Sequence, residues 1–258
     1  MGIPEYEAKL YDGKIQGGNS LISVHTENSD QVSAAKEIYK RAGAEDIHST
    51  GEASAPHKAA ELSEKDIVKN PIAQFEKWFS DAVNAEIFEP NIMTLATADK
   101  SGRPNARVVL LKGFDENGFS FYTNYLSQKG KEIKKNPLAC LVFFWGELER
   151  QVRIEGKIEK LDKETSEQYF NSRPVGSQIG AIASPQSQVI ANREVLENKV
   201  EELTKQYEGK AIQKPAHWGG YIVKPTVIEF WQGRSNRLHD RIKYTFVNGS
   251  WKIERLAP

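Results

Sequence analysis

The segment from Trp231 to Arg241 is the part of the chain richest in side chains that can bind a ligand. Within eleven residues it holds three arginines, a histidine, an aspartate and a tryptophan. Cations this close repel one another unless an anion lies among them, and the indole adds a flat apolar surface beside the charge. A planar phosphorylated ligand would satisfy both features. The alternative interpretation is a solvated charged turn.

Two further runs place cations next to groups that bind phosphate. Residues 107–112 form an apolar strand with Arg107 and Lys112 at its ends, on opposite faces because side chains alternate along a strand. They can serve two anions, or protect an edge strand from pairing with another chain. In the second run, Tyr122 to Lys131, Ser127 opens a helix whose free amides and Lys129 suit an anion. The alternative is a capped surface helix.

A third run, Tyr169 to Ser177, places a phenol, a guanidinium and a hydroxyl at four-residue intervals. Tyr169, Arg173 and Ser177 together form a plausible phosphate clamp, although Tyr169 is a core residue if the helix ends early. Gln186-Ser187 and the strand residue Gln151 add uncharged donors. The chain lacks both glycine-rich phosphate loops, so its phosphates must be held by side chains.

Acid–base and metal-binding patterns do not stand out. We find no Ser-His-Asp or Cys-His arrangement and no histidine at metal-ligand spacing, so no metal site is predicted. Anion-binding groups and aromatic walls without acid–base residues are typical of a protein that positions a cofactor, which then carries the chemistry.

Composition limits the class of protein. The 258 residues include 35 Lys plus Arg and 35 Asp plus Glu, so no overall charge draws the chain to nucleic acid or to an anionic membrane. The single cysteine, Cys140, permits no intrachain disulfide. Charges at the N-terminus exclude a signal peptide there, and no run approaches the roughly 18 apolar residues of a membrane span. We expect a soluble protein of the cytoplasm.

The chain divides into two predicted regions. Residues 1–66 form an extension with a strand at 21–24, a helix from Ser29 or Asp30 to Gly43, and a linker at 49–58. Residues 67–258 form the main domain.

The main domain alternates strand-like runs with turns. Asn70-Pro71 opens a helix whose apolar residues recur at helical spacing. Short turns joining the strands favour antiparallel pairing, so the predicted fold is mainly β with added helices (α+β): a split antiparallel barrel with a smaller helical subdomain. Strands are predicted at 92–97, 106–114, 119–123, 138–145, 150–161, 221–230, 241–247 and 251–255, and later helices at 127–136, 163–171, 176–183 and 192–207.

These segments together resemble the pyridoxine/pyridoxamine 5′-phosphate oxidase family over about Asn70 to Pro258. The resemblance rests on the runs 70–75, 107–114, 121–125, 150–156, 169–181, 231–241 and 254–258, which occur in one order. It implies a homodimer with FMN at the subunit interface. It also implies oxidation of pyridoxamine or pyridoxine 5′-phosphate to pyridoxal 5′-phosphate, with a hydride equivalent passing from the substrate C4′ to the flavin and O2 giving H2O2.

The resemblance also assigns roles to individual residues. Arg237 and His239 are implied to orient the reacting carbon, and we treat them as the catalytic pair. The substrate site corresponds to Lys112, Tyr169, Arg173, Ser177, Arg237, Leu238 and His239. The FMN site corresponds to Arg107, Val108, Val109, Leu110, Tyr122, Thr123, Gln128, Lys129, Gln151, Gln186, Ser187, Trp231 and Arg241.

Two departures from the family pattern have consequences. Gln128 stands where the family often has arginine, which predicts looser FMN retention. Residues 21–47 weakly resemble a segment of a bacterial general stress protein instead of the family's short basic arm, and we assign them no chemistry.

Two other functions remain as alternatives. One is another split-barrel FMN oxidoreductase, such as a flavin reductase-like protein. The phosphate clamp from Tyr169 to Ser177 argues against it. The second is a non-catalytic module that binds FMN or pyridoxal phosphate, which would keep the flavin residues and lose Arg237 or His239. Both residues are present.

Overall fold

The structure, a computed structural model, describes residues 22, 24, 29–44, 47 and 61–258. It divides into two units, which we describe separately. The first is Met1–Glu61 with Arg234–Arg237, and the second is Leu62–Gly233 with Leu238–Pro258. The predicted boundary at residue 66 stays a prediction.

The first unit contains helix α1, Ser29–Arg41. The predicted helix is confirmed, and Gly43 follows it with φ 75°, the left-handed conformation that commonly ends a helix. Arg234 forms an ion pair with Glu61, with Nη2 and Oε1 3.1 Å apart. The strand predicted at 21–24 lies partly outside the described residues, and the linker predicted at 49–58 lies wholly outside them.

The second unit is built on one antiparallel sheet. Its order is β2-β1-β5-β6-β7-β4-β3, with β8 paired to β7 and β9 paired to β8. Strand β7 pairs with β6 along most of its length, with β4 through its first half and with β8 through its second half. The sheet therefore curls around β7 into half a barrel, which confirms the predicted fold class. The strands are β1 Ile92–Ala98, β2 Pro104–Leu110, β3 Gly113–Asp115, β4 Gly118–Asn124, β5 Leu138–Trp145, β6 Arg150–Lys160, β7 Trp218–Gln232, β8 Asp240–Val247 and β9 Ser250–Leu256.

A bulge bends the long pair β6–β7. Their register shifts between Glu155 and Gly156, opposite Pro225, which has no amide hydrogen to pair. A Cβ on Gly156 would lie 2.0 Å from the Lys224 carbonyl oxygen, so only glycine fits here. The bend lets the two halves of β7 serve different neighbours.

The single strand predicted at 106–114 is wrong. The structure divides this run into β2 and β3, with Leu111 and Lys112 between them. The Leu111 amide donates to the Asn91 carbonyl oxygen beside β1, whereas the Lys112 amide donates to the Ser120 carbonyl oxygen on β4, each at 2.9 Å. The chain leaves one neighbour for another at this point, so one continuous strand cannot form.

Five helices complete this unit, and its apolar residues form two clusters. Helix α2 packs into the sheet through Phe75, Trp78 and Ala82. It begins as predicted, because the Asn70 side chain accepts a hydrogen bond from the Ile72 amide at 2.8 Å and proline follows. Helices α4 to α6 cover a second cluster that includes Phe170, which confirms the predicted helical subdomain. The helices are α2 Pro71–Asn84, α3 Gln128–Lys135, α4 Lys163–Ser172, α5 Val175–Ala183 and α6 Glu194–Gln206.

Among the described helices, none combines the length and the apolar character that a bilayer crossing requires.

Candidate active site

A cavity of about 650 Å³ opens between the sheet and the helical subdomain. Strands β2 and β4, helices α3 to α5 and the first residue of β7 supply its walls. A cavity of this size accommodates a ligand the size of a cofactor or a drug. The predicted site residues that line it are Val108, Val109, Leu110, Lys112, Tyr122, Thr123, Lys129, Tyr169, Arg173, Ser177 and Gln186.

The cavity has a strongly cationic wall. Lys112, Lys129 and Arg173 line it, and within the described part of the chain none of them has a carboxylate at salt-bridge distance. Burial lowers the pKa of Lys129, and the nearby charge of Arg107 lowers it further. Burial also lowers the pKa of Arg173. A bound anion would relieve both groups, so the electrostatics favour an anionic ligand.

Among these cations, Arg173 gives the most direct indication that an anion binds in the cavity. Its Nη1 is buried and has no hydrogen-bond partner among the described residues. A buried donor on a charged group costs free energy unless an acceptor reaches it. Tyr169 and Ser177 line the same cavity, so the structure brings the three residues of the predicted clamp to one place.

A second group of polar residues surrounds Gln186. The Gln186 Oε1 accepts hydrogen bonds from Thr123 Oγ1 at 3.1 Å and from Lys129 Nζ at 3.2 Å. Lys129 lies in the first turn of α3, which Ser127 caps by accepting from the Gly130 amide. Ser187, which follows Gln186 in the chain, has φ 68°. This group holds a second cation near a helix N-terminus, as an anion site requires.

Three parallel aromatic rings form the apolar wall. Tyr122 and Tyr169 stack with their centroids 3.9 Å apart, and the Trp218 ring lies 5.5 Å from Tyr122 and 6.2 Å from Tyr169. The sequence analysis missed Trp218. The available signal was the Trp218-Gly219-Gly220 triplet, because a Cβ on Gly219 would lie 2.1 Å from the Tyr125 hydroxyl oxygen.

Arg107 and Gln128 are held at the buried carboxylate of Glu132, and neither lines the cavity. Gln128 Nε2 donates to Glu132 Oε1 at 2.8 Å, and Arg107 Nη2 lies 3.3 Å from Glu132 Oε2. Thr97 and Asn105 also donate to this carboxylate. Glu132 therefore holds Arg107 and Gln128, two predicted flavin residues, at a place outside the cavity lining.

The Glu132 carboxylate also predicts a pH effect on stability. Burial alone would raise its pKa, but hydrogen bonds from Thr97, Gln128 and Asn105 and the charge of Arg107 outweigh burial and hold the pKa below its ordinary 4.5. A carboxylate with a lowered folded-state pKa stabilises the fold above its ordinary pKa, and that contribution is lost as pH falls through the folded-state pKa.

We therefore expect Glu132→Gln to flatten the acid side of the stability profile. Chemical denaturation from about pH 7 to about pH 3 should show a smaller loss of unfolding free energy in the variant than in the parent chain. Glu197→Gln is the matched control, because Glu197 is exposed and pairs only with Arg193 on the surface of α6. Equal slopes for the parent and Glu132→Gln would contradict the prediction.

The remaining predicted residues lie on β6, β7, β8 and the turn before β8, and they do not line the cavity. Gln151, Trp231 and Arg241 face one another in one row across the three strands. The rings of Trp231 and His239 lie 4.6 Å apart. Arg241 Nε donates to the buried Glu229 at 2.8 Å. The structure thus separates the predicted flavin residues into a cavity group and a row on the sheet.

The last part of the predicted substrate site forms a turn between β7 and β8. Leu238 is 69% exposed. Arg237 ends a short 3-10 turn, Ser235–Arg237, with φ 59°. Arg237 belongs to the first unit of the chain, whereas Leu238 and His239 belong to the second.

Two family profiles match the chain. The profile described as pyridoxamine 5′-phosphate oxidase matches residues 79–207. The profile described as the pyridoxine 5′-phosphate oxidase C-terminal dimerisation region matches residues 218–258. Together they cover the half-barrel, the helical subdomain and the three C-terminal strands.

Curated relatives agree with these profiles. The chain is 57% identical over 198 residues to a pyridoxine/pyridoxamine 5′-phosphate oxidase of Nostoc punctiforme, covering 76% of this chain and 92% of the relative. It is 55% identical over 197 residues to the protein of that name from Acaryochloris marina, covering 76% and 90%. The relative from Salinibacter ruber is 54% identical over 202 residues, covering 77% and 94%.

Solved structures share the fold. PhzG from Burkholderia lata, crystallised with tetrahydrophenazine-1-carboxylic acid, is 31% identical with a TM-score of 0.74, covering 78% of this chain and 99% of that one. An FMN-binding protein from Nostoc punctiforme, described as related to pyridoxamine 5′-phosphate oxidase, is 18% identical with a TM-score of 0.58, covering 71% and 97%. The second likeness concerns the fold alone.

Proposed function

The chain belongs to the pyridoxine/pyridoxamine 5′-phosphate oxidase family. We therefore propose that it oxidises pyridoxine 5′-phosphate and pyridoxamine 5′-phosphate to pyridoxal 5′-phosphate. FMN is the proposed cofactor and O2 the final acceptor, with H2O2 released. Oxidation of the amine substrate gives an imine, which water hydrolyses to the aldehyde and ammonia. The observation that carries the proposal is the buried, unpartnered Nη1 of Arg173 in a cationic, aromatic-walled cavity. Such a cavity suits a phosphorylated aromatic ring.

The substrate phosphate is assigned to one end of this cavity. Arg173 supplies the donor that lacks an acceptor, Lys112 supplies a second charge, and Tyr169 and Ser177 supply hydroxyls on the same wall. Arginine suits a phosphate because its planar fork donates two hydrogen bonds at once. The aromatic wall beside it can pack against the pyridine ring.

The flavin phosphate is assigned to the other group of polar residues. Lys129, Thr123 and Gln186 are already joined by hydrogen bonds, and Lys129 has a pKa lowered by burial, which an anion would raise again. Tyr122 provides a flat apolar surface beside them. The cavity residues fit FMN on these grounds.

The row of Gln151, Trp231 and Arg241 is assigned to the flavin bound in a partner subunit. Trp231 and Arg241 lie within the residues that match the dimerisation-region profile, and Gln151 pairs directly with Trp231. A homodimer with FMN at the interface would unite the row from one protomer with the cavity of the other. An obligate dimer would also explain why one chain leaves the predicted flavin residues in two groups.

The protein's part in the reaction is positioning. FMN, when bound, would supply the two-electron oxidation of the C4′ carbon, with O2 as the final electron acceptor. Arg173 and its neighbours hold the substrate by its phosphate, and Arg237 and His239 are assigned to orient the reacting carbon. Positioning can lower a barrier by as much as about 7–11 kcal/mol, so a strong proton-transfer residue is not required.

Arg237→Ala tests the assigned role of the turn before β8. We expect a loss of turnover, a weaker affinity for pyridoxamine 5′-phosphate, or both, because the orienting cation is removed. Arg103→Ala is the matched control, since Arg103 is exposed in the turn between β1 and β2. Unchanged kcat and KM in Arg237→Ala would make the assignment wrong.

Gln128→Arg tests the consequence of the departure noted in the sequence. An added guanidinium at position 128, next in the chain to Lys129, would lie at the Glu132 carboxylate with Arg107. Its extra positive charge should strengthen FMN binding by about tenfold, the lower end of the value of one charge-assisted hydrogen bond. The dissociation constant of FMN, followed by quenching of flavin fluorescence, measures this. Gln206→Arg places the same charge at the exposed end of α6 and should leave FMN affinity unchanged. Equal affinity in the parent chain and Gln128→Arg contradicts the prediction.

The visible spectrum of the purified protein tests the proposed function. A yellow oxidised-flavin band should bleach on anaerobic addition of pyridoxamine 5′-phosphate and return with air. A flavin band that ignores the substrate would favour another split-barrel flavoprotein. A protein that takes up no flavin after incubation with FMN would overturn the cofactor assignment and direct attention to Gln128.

A further inference from the structure

We propose that Trp218 is a positioning residue that holds the Arg173 guanidinium ready for the substrate phosphate without neutralising its charge. The Arg173 Cζ lies 4.7 Å from the centroid of the Trp218 ring. Tryptophan attracts a cation through the face of its ring more strongly than the other aromatic side chains. The proposal rests on the proposed function for the identity of the phosphate.

The contrast with the other partly buried arginines supports this role. The other partly buried arginines of the second unit lie against carboxylates, which satisfy their charge and their donors. Arg173 has an indole in that place, and within the described residues no carboxylate reaches it. The partly buried arginines paired with carboxylates are Arg107 with Glu132, Arg150 with Asp81, Arg153 with Glu155 and Glu229, and Arg241 with Glu229.

An indole and a carboxylate have different effects on a binding site. A carboxylate would occupy the guanidinium donors and repel an incoming phosphate. The face of the indole ring attracts the cation, but the indole has no acceptor atom that could bond the guanidinium N–H groups. The indole therefore leaves the guanidinium without an acceptor, as the buried and unpartnered Nη1 shows. The cost of keeping this cation buried is seen in the pKa of Arg173, which burial lowers.

Trp218 is itself rigidly placed, which positioning requires. Its side chain is buried, and Phe170 contacts the ring edge-on with centroids 5.3 Å apart. Its carbonyl oxygen accepts from Lys214 Nζ at 3.0 Å, and its backbone faces Asn124 on β4. The same ring stacks on Tyr122 and Tyr169. Trp218 thus fixes the position of Arg173 relative to Tyr122, which is assigned to FMN, and Tyr169, which is assigned to the substrate.

A double-mutant cycle between positions 218 and 173 tests the proposal. In the flavin-loaded protein, Trp218→Leu should raise KM for pyridoxamine 5′-phosphate about tenfold, the value of a well-buried cation–π contact, and change kcat much less. Trp218→Phe keeps a weaker aromatic face and should raise KM by a smaller factor. In the Arg173→Gln background, both substitutions should leave KM where Arg173→Gln alone puts it.

Calorimetric titration of the flavin-loaded protein with inorganic phosphate gives a readout that needs no turnover. Trp218→Phe should weaken phosphate binding only when Arg173 is present. Trp251→Leu is the control for loss of an indole, because Trp251 packs on Phe246 in β8 and does not line the cavity. It should change neither phosphate affinity nor KM.

Two results would overturn the proposal. One is an equal effect of Trp218→Phe with and without Arg173, which would mean that Trp218 acts by a different route. The other is no effect of Trp218→Phe in either background. Because Trp218→Phe preserves an aromatic core residue, a failure of Trp218→Leu to fold leaves both results measurable. A parent protein that binds phosphate but does not bleach with pyridoxamine 5′-phosphate would refute the proposed function and leave the Trp218 result standing.

Discussion

Arg173→Gln is expected to raise KM for pyridoxamine 5′-phosphate by about 10- to 150-fold, because each hydrogen bond to a charged group is worth about 1.5–3 kcal/mol. The phosphate does not react, so the loss should appear mainly in KM and less in kcat. The unfolding free energy should stay the same or rise, since the variant removes a buried charge that lacks a counter-ion in the described part of the chain.

Steady-state kinetics and chemical denaturation of the same preparations check both parts of this prediction. Arg193→Gln is the control for the substitution itself, because the Arg193 side chain, just before helix α6, is 85% exposed. Unphosphorylated pyridoxamine serves as the control ligand, and its KM should change little. A KM for the phosphorylated substrate that stays at the parent value would refute the phosphate clamp, whatever the stability shows.

Phe75→Ala is expected to have the largest effect on stability, a loss of about 3–5 kcal/mol of unfolding free energy. Phe75 is fully buried, and its ring meets those of Phe114, Phe119 and Phe143 at centroid distances of 4.9, 4.9 and 5.0 Å. Truncation leaves a cavity among rings anchored on three different strands, which cannot close around it without moving the sheet.

Phe88→Ala is the control, because Phe88 is 82% exposed and loses little buried area. Denaturant titrations extrapolated to water should separate the two variants by several kcal/mol, about half of the stability of an ordinary domain. A similar loss in both variants would show that helix α2 does not anchor the half-barrel. Phe75→Leu, which fills part of the space, should fall between the parent and Phe75→Ala.

Local signals predicted much of the fold. The helix that begins at Asn70-Pro71 and the Ser127 cap were both predicted, because each depends on partners only a few residues away in the chain. The exception was the run 106–114. Its apolar alternation is continuous, yet the amides of Leu111 and Lys112 bond to different neighbours, a choice that the run itself does not encode.

For the candidate site too, local patterns could be predicted from the sequence, whereas contacts between distant parts of the chain could not. Residue types at fixed spacing grouped Tyr169, Arg173 and Ser177 in one predicted clamp, and the structure brings all three to one cavity, around the end of α4 and the start of α5. Trp218 and Glu132 were missed. A tryptophan beside two glycines and a glutamate on a basic helix look ordinary until strand pairing and helix packing show what each one contacts.

By itself, the sequence determined the order of the elements and the antiparallel class of the sheet, because caps, turns and periodicity act over a few residues. It also supplied the cations and hydroxyls from which an anion site can be built. Only the tertiary structure decided which cations share the cavity and which are neutralised. The pairing of β4 with β7 brings Tyr122 beside Trp218, and packing of α4 places Arg173 over that indole. Charge neutralisation depends on distances of a few ångströms between residues far apart in the chain, and only the folded arrangement sets those distances.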